Sequence, residues 1–370
     1  MFWVLVSCFF LWRISALLYE NQPTLRKLII LLSFAFLPQF FYLFYAYGQV
    51  PGLGCLMNSL YLTVLSVKKA RGWILLPGLL FLAAACLLRT NYIIGGIALI
   101  IACLLHALRH KKALFAAAAF GILLSITIPR TLVVRRFEIM ADTKLNQGMP
   151  SLLYIAMGLQ EAEQRAAGWY NGYNDDIYWG SDCNVDFCNK VAADFIAGRL
   201  QTFLSDPKCV VDFFGEKIIS TWCDPTYQSI WSGPLISLGN AAQTEWLRSL
   251  YSGETAFRIL ALGMNYFNII IFSFSLVYIL WSIFCGKKPL NLFELFCVLF
   301  FLGGFLFHLF WEAKCQYVYP YVIFLLPLAA NGISTTGRKL EQRLSICLKH
   351  GAYYNMSGVY NEKKEQNFHD

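Results

Sequence analysis

The chain has 370 residues, of which 58% are hydrophobic and only 14% are charged, and its mean hydropathy is +0.52. Soluble domains carry about 25% charged residues, so this composition excludes an ordinary soluble protein. The formal net charge is +8, but the positive residues stand in short clusters between apolar runs. This distribution is typical of membrane proteins, and it excludes the continuous basic face that binds nucleic acid.

Nine apolar segments approach the roughly 20 residues that a membrane-spanning helix requires. They are residues 2–19, 28–47, 51–67, 73–88, 92–108, 113–134, 259–283, 290–311 and 317–336. Arg13 weakens the first, and Pro51, Gly52 and Gly54 predict that the third is broken or re-entrant. The fold class is therefore an all-α polytopic membrane protein of about nine transmembrane helices, in the groups 1–134 and 256–336.

Lysine and arginine in the short loops indicate the orientation, because they collect on the cytoplasmic side. The clusters on alternate loops are Arg26 and Lys27, then Lys68, Lys69 and Arg71, then Arg109, Lys111 and Lys112, then Lys287 and Lys288. Residues 337–370, with Arg338, Lys339 and Arg343, form a cytoplasmic tail. Nine spans then place the N-terminus outside, which suggests that the chain is the C-terminal part of a longer ancestor or that the first span is misread.

Residues 135–255 lie between the sixth and seventh predicted spans and hold 15 of the 22 acidic residues. Membrane interiors exclude carboxylates, so this segment is predicted to be an extracytoplasmic domain. Apolar spacing predicts helices over 151–168 and 190–204, and a further helix from Pro207 to about Trp222. Residues 168–189, rich in Gly, Asn, Asp and Tyr, are predicted to be an irregular loop.

Two places carry charge near the predicted outer surface. Arg89 and Asn91 stand where two spans meet; Arg89 either anchors the hairpin as an interfacial arginine or binds a phosphate. Glu312 and Lys314 stand between two spans with almost no loop to solvate them, followed by Tyr317, Tyr319 and Tyr321. The alternatives for this second group are a local ion pair in an aromatic belt, or a cavity that binds a partner.

The outer segment contains a further group that suits a sugar. Its aromatic rings, amides and carboxylates are Trp169, Tyr170, Asn171, Asp175 and Asp176. Rings stack on sugar faces and carboxylates accept hydroxyl hydrogen bonds, although turn-forming surface loops use the same residue types. Asp175 and Asp176 could also contribute to a divalent cation site, but two carboxylates are too few to assign one.

Four of the twelve cysteines lie in the outer segment, where the environment permits disulfides. Cys183 with Cys188 and Cys209 with Cys223 are pairs that the spacing allows, and free thiols are the alternative. No metal site is predicted, because the segment lacks histidine and closely paired cysteines.

Several short motifs together resemble a known family. They are Leu88-Arg-Thr-Asn91, Met157-Gly-Leu159, Gly168-Trp-Tyr-Asn171, Phe213-Phe-Gly-Glu-Lys217, Trp222-Cys-Asp-Pro-Thr-Tyr227 and Trp311-Glu-Ala-Lys-Cys-Gln-Tyr317. Their order over residues 50–336 resembles the bacterial GT-C class of membrane glycosyltransferases, related to the protein-mannosyltransferase and aminoarabinose-transferase group. Nucleotide-binding glycine motifs are absent from the sequence, as expected for enzymes that use a lipid-linked donor.

The resemblance implies a reaction in the bacterial plasma membrane. A polyprenyl-phosphate-linked sugar would be the donor, and an envelope glycan or protein outside the membrane would be the acceptor. Arg89 and Lys314 would bind the donor phosphate, and Asn91, Glu312, Tyr317 and Tyr319 would line the site. Trp169, Tyr170, Asn171, Asp175 and Asp176 are the candidates for binding the acceptor or the sugar.

One departure from the family pattern leaves the catalytic residue unassigned. GT-C enzymes usually carry an acidic residue in their first outer loop, whereas residues 48–51 here contain none. The chain would then lack the N-terminal part with that loop. A non-catalytic assembly partner in envelope polysaccharide synthesis and a flippase for lipid-linked sugars are the alternative functions.

Overall fold

The computed structural model describes residues 1–44, 48–145, 148–230, 245–251, 253–285 and 289–345, and their regular structure is helical. The α-helices are α1 (Phe2–Leu18), α2 (Pro23–Ala35), α3 (Pro38–Phe41), α4 (Gln49–Lys69), α5 (Leu75–Leu88), α6 (Ile93–His110), α7 (Ala113–Ala141), α8 (Ser151–Gly158), α9 (Tyr173–Gly180), α10 (Val185–Ser205), α11 (Pro207–Trp222), α12 (Glu245–Tyr251), α13 (Thr255–Phe284), α14 (Leu292–Phe310), α15 (Tyr319–Ile323) and α16 (326–345). This confirms the all-α class.

Five helices in the described part are long and apolar enough to cross a membrane. They are α4, the segment Thr90–His110 that contains α6, α7, α13 and α14. Helix α1 and the segment Gly72–Leu88 that contains α5 are apolar but shorter. The structure therefore supports a multi-pass membrane protein, while the number of nine spans stays a prediction.

The predicted break in the third span is wrong, because α4 runs without interruption from Gln49 to Lys69. Pro51 falls in the first turn, where a helix does not use the missing N–H group. Gly52 is required by close packing: a Cβ atom there would lie 2.4 Å from the Tyr92 ring. Gly54 in the same way admits the Trp3 ring, which would lie 2.7 Å from a Cβ atom.

Two other predicted spans are not single helices. Helix α2 ends at Ala35, and the short α3 follows from Pro38; residues 45–47 of that predicted span lie outside the described residues. The last predicted span begins as a 3₁₀ turn, Cys315–Tyr317, continues as the five-residue α15 and becomes regular again in α16. The prolines Pro38 and Pro320 stand in the first turns of α3 and α15, as proline prefers.

One end of the helices carries the described basic turns. Lys68 lies 3.5 Å from Glu20, which joins the α4–α5 turn to the α1–α2 turn. At this end a buried network also links α1, α13, α14 and α16. In it Tyr19 and Tyr278 donate hydrogen bonds to Glu294 at 2.7 and 2.8 Å, and Asn331 donates to the Tyr19 hydroxyl. The basic turns around Arg26 and around Lys68 therefore lie at the same end of the helices, whereas Lys287 and Lys288 lie outside the described residues.

The outer segment meets the opposite end of the helices. There the Gln49 side chain donates to the carbonyl of Gln316 at 3.0 Å, which links the start of α4 to the loop after α14. Tyr42 donates to the carbonyl of Tyr227 in the outer segment. A Cβ atom on Gly48 would lie 2.2 Å from the Leu88 carbonyl oxygen, so the start of α4 packs directly on the end of α5.

The outer segment differs from its prediction in three ways. Helix α7 continues past residue 134 to Ala141, so the proposed boundary at 135 falls inside a helix. The predicted helix 151–168 ends at Gly158, and the predicted irregular loop 168–189 contains α9. The break between α10 and α11 at Asp206 is confirmed, and the Asp206 carboxylate caps α11 by accepting from the Lys208 N–H. Residues 231–244 lie outside the described residues.

Helices α13 and α16 pack closely at Gly332, and we expect a larger residue there to be destabilising. A Cβ atom on Gly332 would lie 2.0 Å from the Phe274 carbonyl oxygen, so the backbones would have to separate in Gly332→Ala. We expect a loss of about 1–3 kcal/mol of stability, typical of overpacking. Gly337→Ala on the same helix is the matched control, because a Cβ atom at Gly337 would have nothing within 4 Å. Thermal unfolding in detergent measures both, and equal melting temperatures would contradict the packing argument.

Candidate functional site

The segment between α14 and α15 is fixed by hydrogen bonds from the outer segment. The N–H of Ala313 donates to the carbonyl of Gly168 at 2.9 Å, and the N–H of Glu312 donates to the carbonyl of Tyr154 at 3.2 Å. Trp169 and Ala313 form a parallel β-bridge. These bonds hold Glu312 and Lys314 at the junction between the membrane helices and the outer segment.

Glu312 is a buried carboxylate, with 7% of its surface exposed. Its Oε1 accepts a hydrogen bond from the Tyr317 hydroxyl at 2.9 Å. Burial raises the pKa of Glu312, and the Tyr317 hydrogen bond and the charges of Arg89 and Lys314 act in the opposite direction. The sequence-predicted residues Glu312, Tyr317, Lys314 and Arg89 therefore form one electrostatic group.

Arg89 reaches this group from the end of α5. It terminates that helix in an extended conformation, and its guanidinium carbon lies 5.0 Å from the centre of the Tyr317 ring. Arg89, Asn91 and Tyr317 line a small pocket of about 10 Å³, room for about one water molecule, together with Gln49 and Tyr321. A cation–π contact of this kind holds the guanidinium at the pocket.

Two polar groups beside the pocket were not predicted as site residues from the sequence. The Tyr321 hydroxyl and His308 Nε2 are buried and have no hydrogen-bond partner in the part of the chain that the structure describes. A buried polar atom without a partner is costly, and such atoms are candidates for binding a ligand. The signals in the sequence were the position of His308 within an apolar run and that of Tyr321 among the tyrosines that follow Lys314.

Tyr319 is not among the residues that line the pocket. Its side chain is fully buried and stacks on Tyr42, with ring centres 4.4 Å apart. Tyr317 and Tyr321 line the pocket, and Tyr319 and Tyr321 both pack in the core of the membrane helices. That Tyr319 lines the site stays a prediction.

In the predicted sugar-binding loop the Trp169 and Asn171 side chains are held by hydrogen bonds within the protein, whereas Tyr170 is exposed. Trp169 donates to the Ser220 hydroxyl at 3.1 Å, and Asn171 donates to the Gln160 side chain at 2.8 Å. Tyr170 is 41% exposed and donates a hydrogen bond to Asp175. This bond, with the charges of Asp175 and Glu312, raises the pKa of Tyr170 to about 12. Tyr170 and Asp175 therefore border the Glu312 group.

Asp176 stays on the surface beside them. It is exposed in the first turn of α9, next to Asp175. Among the residues that the structure describes, no group of three His, Cys, Asp or Glu side chains has a metal-binding arrangement. Within these residues Asp175 and Asp176 have no third ligand of this kind, and the divalent cation stays a prediction.

The cysteines of the outer segment are free thiols in the structure. Cys183, Cys188, Cys209 and Cys223 are all unpaired, so neither pairing that the spacing allows is formed. Cys188 is buried in a small core with Leu153 and Tyr178, where a thiol packs as an apolar group. Of the two alternatives, the structure has the free thiols.

Lys217 connects three of the sequence motifs. It is 1% exposed, and its Nζ donates to the carbonyls of Gly158 and Trp311, the second at 2.9 Å. The neighbouring Glu216 accepts from the N–H of Ala167 at 3.1 Å. Burial lowers the pKa of Lys217 to about 7, against the opposing charge of Glu312. The motifs around residues 158, 168, 217 and 311 therefore form one structural joint beneath the site.

A pH dependence follows from Lys217. Its pKa is about 7 when folded and 10.5 when free, so between these values the unfolded chain binds more protons. Stability therefore rises with pH from about 7 towards 10, by at most about 1.4 kcal/mol per pH unit. We expect Lys217→Met to flatten this part of the stability curve and exposed Lys190→Met to leave it unchanged. If the free energy of unfolding rose equally with pH in the native protein and in Lys217→Met, the lowered pKa of Lys217 would be contradicted.

The site consists of two outer-segment residues, Tyr170 and Asp175, facing a group on the membrane helices and their connecting loop. Comparison with known proteins adds no assignment to this geometry. Neither the family models, nor the curated proteins, nor the solved structures contain a match to the chain.

Proposed function

We propose that the chain is a membrane glycosyltransferase, which moves a sugar from a polyprenyl-phosphate donor to an extracytoplasmic envelope glycan or protein. The observation that carries the proposal is the meeting of Arg89, Tyr317, Glu312 and Lys314 beneath Tyr170 and Asp175. In this proposal the end of the helices that meets the outer segment faces outward and the basic turns face the cytoplasm, as the positive-inside rule requires.

The two cations suit a phosphate that becomes a leaving group. When the bond from the sugar to phosphate breaks, negative charge grows on the phosphate oxygen. Arg89 lies at the pocket, and the charges of Arg89 and Lys314 both act on the buried Glu312. Preorganised cations in a partly dry site stabilise such charge strongly. Tyr321 and His308 offer further unsatisfied polar atoms there.

A second cavity suits the lipid of the donor. It has a volume of about 160 Å³ and lies between α5, α6 and α7, with Leu87, Thr90 and Ile93 in its wall and Arg130 at its polar part. Thr90 stands between Arg89 and Asn91, so this cavity adjoins the residues of the pocket. A prenyl chain in the membrane could approach between these helices while its phosphate reaches Arg89.

We assign acceptor activation to Asp175. The acceptor hydroxyl must lose a proton as its oxygen bonds to the sugar carbon, and a carboxylate within hydrogen-bond reach can accept that proton. Asp175 is partly exposed and already accepts from Tyr170, whereas Glu312 is buried among the cations. In this assignment Asp175 supplies the catalytic carboxylate, although residues 48–51 contain none.

The alternative of a non-catalytic assembly partner has one observation in its favour. Gly48 packs against the Leu88 carbonyl oxygen with no room for a Cβ atom, so an acidic residue would not fit at position 48 of the segment 48–51. In this alternative the outer segment would only recognise the glycan, and Asp175 would not take part in transfer.

Transfer from a labelled polyprenyl-phosphate sugar in membranes separates these functions. We expect label to appear in an extracytoplasmic acceptor, and Asp175→Asn to lower the rate by about 10²–10⁴-fold, as for loss of a general base. The adjacent exposed Asp176→Asn is the matched control. Absence of transfer at normal membrane levels of the protein would favour the assembly partner, and movement of intact labelled lipid across vesicles would favour a flippase.

A further inference from the structure

A groove between α1 and α2 lies apart from the Arg89 pocket. It has a volume of about 910 Å³, and its walls include Phe9 and Trp12 from α1 and Leu31 and Phe34 from α2. Arg26 and Lys27 line the same groove. The groove therefore combines an apolar length with a pair of cations.

The cations are confined to one end of the groove. Arg26 and Lys27 lie in the first half of α2, next to the α1–α2 turn, while Phe34 lies one residue before the last residue of that helix. The turn belongs to the basic end of the molecule, where Glu20 is already 3.5 Å from Lys68. The end of the groove at Arg26 and Lys27 is thus positively charged, because the nearby Glu20 carboxylate is already paired with Lys68.

Arg26 has an unsatisfied buried atom at this position. Its Nε is buried and makes no hydrogen bond within the residues that the structure describes. A buried donor of a charged group without an acceptor carries a desolvation penalty. A phosphate oxygen would remove that penalty, because the guanidinium fork matches phosphate geometry.

The dimensions agree with one leaflet of a bilayer. Phe34 follows Arg26 by eight positions, and at 1.5 Å per residue this is about 12 Å along the helix. One leaflet contributes about 15 Å of hydrocarbon, half of a core of about 30 Å. A lipid with its phosphate at Arg26 would therefore extend its acyl chain along the apolar walls as far as Phe34.

We propose that this groove binds an anionic phospholipid, whose phosphate contacts Arg26 and Lys27 and whose acyl chain packs against Phe9, Trp12 and Leu31. Basic pockets between membrane helices bind acidic head groups in this way. The site is independent of the transfer reaction, because it lies at the opposite end of the helices from Arg89.

Competition between two lipids tests the site. The full chain, purified in detergent, is incubated with phosphatidylglycerol and phosphatidylcholine of identical acyl chains, and retained lipid is counted by native mass spectrometry. We expect a preference for phosphatidylglycerol of roughly tenfold, and near-equal retention after Arg26→Gln with Lys27→Gln. Lys69→Gln with Arg71→Gln removes the same charge from a neighbouring turn outside the groove and should keep the preference.

Two results would overturn the proposal. The first comes from the competition: the native protein retains both lipids equally, or the Lys69→Gln, Arg71→Gln control loses the preference as fully as the Arg26→Gln, Lys27→Gln variant does. The second comes from crosslinking in membranes, where a photoreactive side chain in place of Leu31 identifies what occupies the groove. A lipid adduct supports the proposal, whereas a protein adduct in its place would mean that another helix fills the groove.

Discussion

Gly168→Ala is expected to lower the free energy of unfolding of the outer segment by about 2–5 kcal/mol. Gly168 has φ +68°, where an alanine costs about 1–2 kcal/mol. A Cβ atom there would also lie 2.5 Å from the Gly158 carbonyl oxygen and 2.6 Å from the Lys217 amine. That carbonyl is backbone and the amine is held by two hydrogen bonds, so overpacking adds about 1–3 kcal/mol.

Gly172→Ala separates the two contributions. Gly172 has φ +91°, but the nearest atom to its Cβ position is the Asp176 carboxylate at 3.9 Å. We therefore expect only the conformational cost of about 1–2 kcal/mol there. Denaturant unfolding in detergent, followed by tryptophan fluorescence, compares the variants. A Gly168→Ala cost no larger than that of Gly172→Ala would remove close packing as the reason for glycine at position 168.

The joint around Gly168 shows how motifs that are dispersed in the sequence meet in the fold. Gly158, Gly168, Lys217 and Trp311 stand far apart in the chain, yet their backbone and side-chain atoms meet in one hydrogen-bonded group. Asp224 adds the fifth motif, since its carboxylate accepts from Thr226 and from the Cys315 thiol. These motifs position the loop 311–314, and so they act on the site through Glu312 and Lys314.

Features that depend on local chemistry could be predicted from the sequence. Runs of apolar residues place the long helices, and Asp206-Pro207 ends one helix and begins the next, because Asp caps and Pro prefers the first turn. Separation of the described basic turns from the acidic segment also follows from the sequence alone. Each of these features is decided by residues within about one or two helical turns.

Features that depend on distant partners could not be predicted. The glycines at positions 52 and 54 looked like a helix break, because nothing in the sequence shows that Tyr92 and Trp3 pack on them. Tyr319 and Tyr321 are alike in sequence and both are buried, but Tyr321 lines the pocket whereas Tyr319 stacks on Tyr42. Lys217 lies in an amphipathic helix, and only the fold reveals that its amine is buried between two carbonyls.

Arg89→Ala is expected to reduce sugar transfer by about 10²–10³-fold, the usual effect of removing one preorganised group from a charge-stabilising site. Arg89 lies in the pocket against Tyr317, and its charge acts on Glu312. In the proposed reaction it would oppose the negative charge that develops on the leaving phosphate. Lys314→Ala should act in the same direction with a smaller loss, because Lys314 is not among the residues that line the pocket.

The same assay distinguishes a specific phosphate contact from a general need for charge. Arg89→Lys keeps the charge but loses the planar fork that binds phosphate in a bidentate manner, so we expect it to recover only part of the rate. Arg71→Ala removes an exposed arginine at the opposite end of the helices and should transfer sugar at the native rate. If Arg89→Ala transferred sugar as fast as Arg71→Ala at equal membrane levels, Arg89 would not contact the donor phosphate.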